Sequence, residues 1–159
     1  MLSKLSLKER CNKMYLIKYL LYILEHKCNV FKISIKKGYY LHALTHDLSK
    51  FSGSEFLAYA GYFYKDKAKY KHRFEMAWRH HYYNNPHHWQ HWLDTDGNPI
   101  EIPDKYIEQM IIDWEAMGIK FNDTAKEYYL KNKNKIKLTP HTRTNLEIKL
   151  KVGGQNAKN

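Results

Sequence analysis

His46-Asp47-Leu48-Ser49-Lys50 is the stretch on which the reading of this chain turns. A histidine beside an aspartate is common, and ten histidines in 159 residues will produce such a dipeptide by accident. Its company gives this one weight. His26 lies upstream, His80, His81, His87, His88 and His91 crowd downstream, and Asp113 sits inside an apolar helical pattern further on. The order H…HD…H…D is one that neutral imidazoles and carboxylates can arrange around a divalent ion. Each member also falls in a segment that reads as helix or helix end.

Upstream, residues 6–27 read as a long helix, with apolar residues at Leu7, Cys11, Met14, Tyr15, Ile17, Leu21 and Leu24 close to a 3.6 period. Ser6 with Glu9 resembles a capping box, and Asn29 is a reasonable stop. Residues 30–47 read as a second helix with Val30, Ile33, Gly38, Leu41 and Leu44 on one face, although the β-branched run 30–35 also suits a strand. His42 and His46 are four apart and share a face.

Downstream, Ser52-Gly53-Ser54 is a break from which Ser54 caps a helix over 55–64. Residues 65–71 are charged and solvated, and 72–83 form a helix with Phe74, Ala77, Trp78 and His81 on one stripe. Asn84-Asn85-Pro86 ends it, and 87–92 make a short helical turn. Residues 94–99 are a turn-rich loop. A helix then runs from Pro103 or Asp104 to Met117 and stops at Gly118. Asp123 or Thr124 caps another through Lys135, and Thr139-Pro140 opens a last one over 141–152. The expectation is an all-α, compact single-domain helical bundle over 1–152, of six or seven helices, with a disordered polar tail at 153–159.

Composition sets further bounds. A hydrophobic share of 43% and an aromatic share of 15% can build a sizeable core for a chain of this length. No apolar run is long enough for a transmembrane helix, so no membrane association is expected. The first ten residues scatter Lys4, Lys8, Glu9 and Arg10 where a secretory signal needs a continuous apolar stretch. Cys11 and Cys28 read as thiols rather than a disulfide, which fits a reducing cytoplasm, or host cytoplasm for a viral chain. The net charge of +11 suits an anionic small-molecule substrate, whereas the scattered lysines make a solvated surface the better account than nucleic-acid binding. Glycine-rich phosphate loops, CxxC pairs and nucleophile elbows are missing from the sequence.

His46 and Asp47 offer a nitrogen and an oxygen from one helix end, and a carboxylate can bridge two ions. His26, taken alone, is a helix C-terminal histidine favoured by the macrodipole. Asp113, flanked by Met110, Ile111, Ile112 and Trp114, is a poor helix former in an apolar setting, and if buried its charge needs a partner. Neighbours on a helix point about 100° apart, so one of His80 and His81 faces a given site, and His81 lies on the apolar stripe. His87 and His91 are four apart and His88 and His91 three apart, which leaves either pair able to share a face.

With these residues in place, the chain resembles the HD-domain superfamily of metal-dependent phosphohydrolases, His46-Asp47-Leu48-Ser49-Lys50 matching its HD-x-x-K form. It is more similar still to a family of small proteins of bacteria and viruses, domain of unknown function 5662. The similar stretches are His46 to Phe51 with Glu55-Phe56, then Ala77-Trp78 with His80-His81, then Asn85 to Trp89 with Trp92, then Glu108 to Met110 and Asp113-Trp114. They cover about residues 20–118. The resemblance implies an HD-domain-like all-helical fold in which His26, His46, Asp47 and Asp113 hold one divalent ion (manganese, iron, magnesium, zinc or similar) and His81 with His88 hold a second. The crowding of histidines into 80–91 departs from the spacing of two-metal HD enzymes and leaves one ion or two open.

The activity implied is hydrolysis of a phosphate ester or nucleotide-like molecule by a metal-activated water. Asp47 or Glu55 would orient or deprotonate that water, Lys50 would neutralise phosphate charge, and Arg79, His80 and His87 would contact substrate. Two alternatives use the same residues. One is a di-iron oxygenase of HD fold; the other is a metal-stabilised binding protein with a basic surface.

Overall fold

The computed structural model describes residues 7–152. The Ser6 cap and the 153–159 tail lie outside the described residues. Among the described residues seven α-helices form and no strand, and one antiparallel bridge, Leu93 with Pro99, closes the turn at 94–98. There Asp94 Oδ1 accepts the N–H groups of Asp96 and Asn98 while Gly97 takes a φ of 79°. Among the described residues no helix is long and apolar enough to cross a membrane.

The chain divides into two compact units. One holds residues 1–27 and 47–81, the other 28–46 and 82–159. Helix α1 (Leu7–Lys36) contributes to both, as does α4 (Lys67–Asn84).

In the first unit the core is aromatic. Tyr19 and Ile23 of α1 pack with Ala58, Tyr59 and Ala60 of α3 (Gly53–Tyr64) and Ala77 of α4. Tyr19 meets Phe56 edge-on at 5.1 Å, and Tyr62 stacks on Phe74 at 4.1 Å. Gly61 is required by this packing, because a Cβ there would lie 2.1 Å from the Tyr70 ring. The α3 cap is Ser52, not Ser54: the Ser52 hydroxyl accepts the Glu55 N–H. Helix α4 begins at Lys67, well before residue 72, since Asp66 accepts the Lys69 N–H and starts it.

In the second unit α5 (Asp104–Phe121) is the central element. It buries Ile107, Met110, Ile111 and Trp114 with Tyr129 of α6 (Ala125–Asn132) and Leu146 of α7 (Pro140–Lys149). Each such side chain contributes roughly 1.5–3 kcal/mol when fully buried. Gly118 does not end α5. It lies inside the helix because the chain returns across it, and a Cβ there would be 2.2 Å from the Asp123 carbonyl oxygen. The stop is Asn122, with a φ of 53°. Thr124 and Glu127 form a reciprocal capping box for α6, which ends at Asn132, short of residue 135. Thr139 caps α7 with Pro140 in the first turn.

Two expectations about the first fifty residues are corrected. Asn29 does not stop α1, and no strand forms over 30–35. Val30 is fully buried with Ile112, Ala116 and Ile33, and this burial outweighs the local β preference. The helix stops at Gly38, whose φ of 81° is the left-handed turn that frees α2 (Tyr40–Thr45) to start afresh. The buried face of α1 is also not the one its aliphatic residues trace. Tyr19, Ile23, His26 and Val30 are buried, whereas Met14, Ile17, Leu21 and Leu24 are 43–62% exposed.

Candidate functional site

Each unit carries a buried polar cluster, and one of the boundaries between units falls at the His46–Asp47 peptide bond.

In the second unit the cluster is made of imidazoles. His42 and His46 are one turn apart on α2 and its C-cap, so their side chains fall on one face. His87 follows Pro86 where the chain turns into the 3₁₀ segment Trp89–Trp92. All three are at most 5% exposed. Ring centroids lie 4.9 Å apart for His42–His46, 4.5 Å for His46–His87 and 5.6 Å for His42–His87. One nitrogen from each ring lies within 4.8 Å of the other two. Such convergence suits a single cation, since three buried imidazolium charges at this spacing would repel one another. Asp113, buried midway along α5, puts Oδ1 3.5 Å from His46 Nε2. A carboxylate facing an imidazole is the arrangement that orients histidine ligands in metal centres. The His88 ring is 4.2 Å from that of His87, at the edge of this group.

In the first unit the cluster is made of alternating charges. Asp47 takes a φ of 56°, a left-handed conformation uncommon for a non-glycine residue and tolerated best by Asn and Asp. It turns the chain into the 3₁₀ segment Leu48–Phe51, and Lys50 returns its ammonium to Asp47 Oδ2 at 2.5 Å. His81 Nε2 lies 3.2 Å from Asp47 Oδ1. Its other nitrogen, Nδ1, is 3.0 Å from Glu55 Oε2. Glu55 is fully buried; it also takes His80 Nδ1 at 2.7 Å and the Ser49 hydroxyl at 3.1 Å. Burial alone would push the Glu55 carboxyl up, but the hydrogen bonds from His81 and His80 hold it below its ordinary value. Burial would push the His81 imidazole down, yet the Asp47 charge and its hydrogen bonds to Asp47 and Glu55 raise it. The phenols of Tyr19 and Tyr59 are pushed well up by burial and by the Asp47 and Glu55 charges, so both stay neutral.

The residues singled out from the sequence are thus distributed. His46, Asp113, His87 and His88 lie in the second unit; Asp47, Lys50, Glu55, His80 and His81 join one network in the first. His26 is buried on α1. Arg79 is exposed on α4 and takes no part in the first unit's network. His42 is not among the ligands expected from the sequence, although its four-residue spacing from His46 is a signal that points to it. His87, read as a substrate contact, groups with imidazoles. Glu55 proves to be the acceptor shared by His80, His81 and Ser49, which no spacing rule foretells.

A profile described as "Family of unknown function (DUF5662)" matches residues 16–151, and the chain belongs to that family. No curated protein and no solved structure matches it.

Proposed function

We propose that this member of DUF5662 is a metal-dependent phosphohydrolase acting on a phosphate ester or nucleotide-like small molecule, distantly akin to the HD-domain hydrolases. The observation that carries the reading is the buried convergence of His42, His46 and His87. Uncharged nitrogen donors with a carboxylate behind them form a donor set for manganese, iron or zinc rather than for calcium. A divalent ion held there would supply Lewis acidity toward a bound water and a phosphoryl oxygen.

The other groups act through their own chemistry. Asp113 fixes the His46 ring through Nε2. Glu55, anionic and buried, holds His81 through Nδ1, so that His81 presents Nε2 to Asp47. Asp47 is thereby held in one orientation as a proton acceptor, the role of a general base. Lys50, ion-paired with Asp47, would add positive charge toward an incoming phosphate.

The test is metal content by mass spectrometry on untagged protein purified without added metal, beside the His42→Ala/His87→Ala double variant, with hydrolysis of a generic aryl phosphate monoester and diester measured on both. Stoichiometric metal and turnover in the wild type, both lost in the double variant, are expected. Stoichiometric metal without hydrolysis of either ester, together with unfolding on chelation, would replace the enzyme by a metal-stabilised binding protein. Absence of metal, and of any stabilisation on titrating manganese, iron or zinc, would overturn the centre itself.

A further inference from the structure

The exposed aliphatic residues of α1 are not scattered. Met14, Ile17, Leu21, Leu24, Cys28, Phe31 and Ile35 follow one another at alternating steps of three and four, the a and d positions of three heptads. The six apolar members other than Cys28 are between 39% and 62% exposed, and Cys28 is exposed too. The stripe runs about 32 Å along one helix. A single exposed leucine is ordinary, but a continuous a/d seam on a helix whose other face is already buried is not.

We infer that α1 is the dimerisation helix of this protein and that its a/d stripe packs antiparallel against α1 of a second copy. The charges beside the seam choose both partner and orientation. In a parallel pair, residues at g face residues at e of the following heptad, which sets Lys13 against Lys18 and Lys27 against Lys32 of the other copy. Like charges at these positions disfavour that arrangement. In an antiparallel pair, e faces e and g faces g. With Leu21 opposite Leu24, Ile17 opposite Cys28 and Met14 opposite Phe31, Lys18 meets Glu25 of the other copy, and the two-fold axis makes the same pair twice. Leu20 then lies against the aliphatic stem of Lys27. Lys18 and Glu25 are both exposed, as the contact requires. The helix is already held by its buried face, so association need not meet the entropy of forming it.

The experiment is sedimentation equilibrium of the full chain over a range of concentrations, with circular dichroism as the check on folding. A wild-type dimer that Leu21→Glu/Leu24→Glu weakens by about 100-fold or more, at unchanged helicity, is expected. Lys18→Glu and Glu25→Lys should each weaken the dimer, and the two together should restore it. In a Cys11→Ser background, Ile17→Cys should crosslink to Cys28 of the other copy with a short bismaleimide, while Cys28 alone should not crosslink to itself. A monomeric wild type, whether or not it floats with anionic lipid vesicles, would overturn the inference. So would a dimer indifferent to the leucine changes, or efficient Cys28–Cys28 crosslinking, which marks the parallel seam.

Discussion

The two buried histidine clusters are built on opposite electrostatic plans. In the first unit Lys50, Asp47, His81 and Glu55 follow one another from contact to contact, with His80 on the far side of Glu55. Such a chain of charges satisfies itself, and its integrity depends on protonation. In the second unit three imidazoles meet one another, and the Asp113 carboxylate faces His46. That donor set could hold a cation. The difference teaches that histidine content alone does not set a cluster's chemistry; the groups packed with the rings do.

Four measurements can break or sharpen this contrast. The largest effect is expected from Glu55→Ala, which leaves His80, His81 and Ser49 without their shared acceptor. Removing one member of a buried charged pair costs about 3–5 kcal/mol, measured as a loss of unfolding free energy in urea. A cost under 1 kcal/mol would show that the network is dispensable. Next comes the metal. At a free concentration about 100 times the dissociation constant, manganese, iron or zinc should stabilise the wild type by about 2.7 kcal/mol. The same titration should leave His42→Ala/His87→Ala unmoved; equal stabilisation of both would relocate the ion. Third, Asp113→Asn keeps the shape but removes the charge facing His46, and metal affinity should fall by about 10-fold or more in a competition titration.

The smallest effect is a pH dependence of the chelator-treated protein. His81 is held above its ordinary 6.5, so its stabilisation is complete below pH 6.5 and is lost as pH rises through the raised folded value. Glu55 is held below its ordinary 4.5, so its stabilisation is complete above pH 4.5 and is lost as pH falls through the lowered folded value. Thermal midpoints should therefore carry a maximum from this cluster between those two values and decline on either side. Glu55→Gln should flatten the acid limb and shift the alkaline one downward. A midpoint profile identical to that of the wild type would remove His81 and Glu55 from the account.

Much of the fold was legible in the chain because caps and turns are local. Thr124 with Glu127, Thr139 with Pro140, and the Asp94–Asn98 turn announce themselves within a few residues. The Asn29 stop and the strand alternative failed for the opposite reason: Val30 is buried against Ile112 and Ala116, some eighty residues away, and no local preference carries that information. Gly118 misled for the same reason, since its lack of a side chain answers to Asp123 overhead and not to a helix end.

What the sequence by itself determined is the helical architecture, the residue types of a candidate metal site and the heptad spacing of α1, because period, capping and composition are properties of neighbours along the chain. Only the tertiary structure decided which face of α1 is buried, that His42 and His87 join His46, and that Glu55 takes His81 Nδ1. Those are outcomes of competition between segments far apart in sequence. The aromatic face of α1 won the core because its rings interdigitate with α3 and α4. The aliphatic seam was left outward, where a second copy can use it.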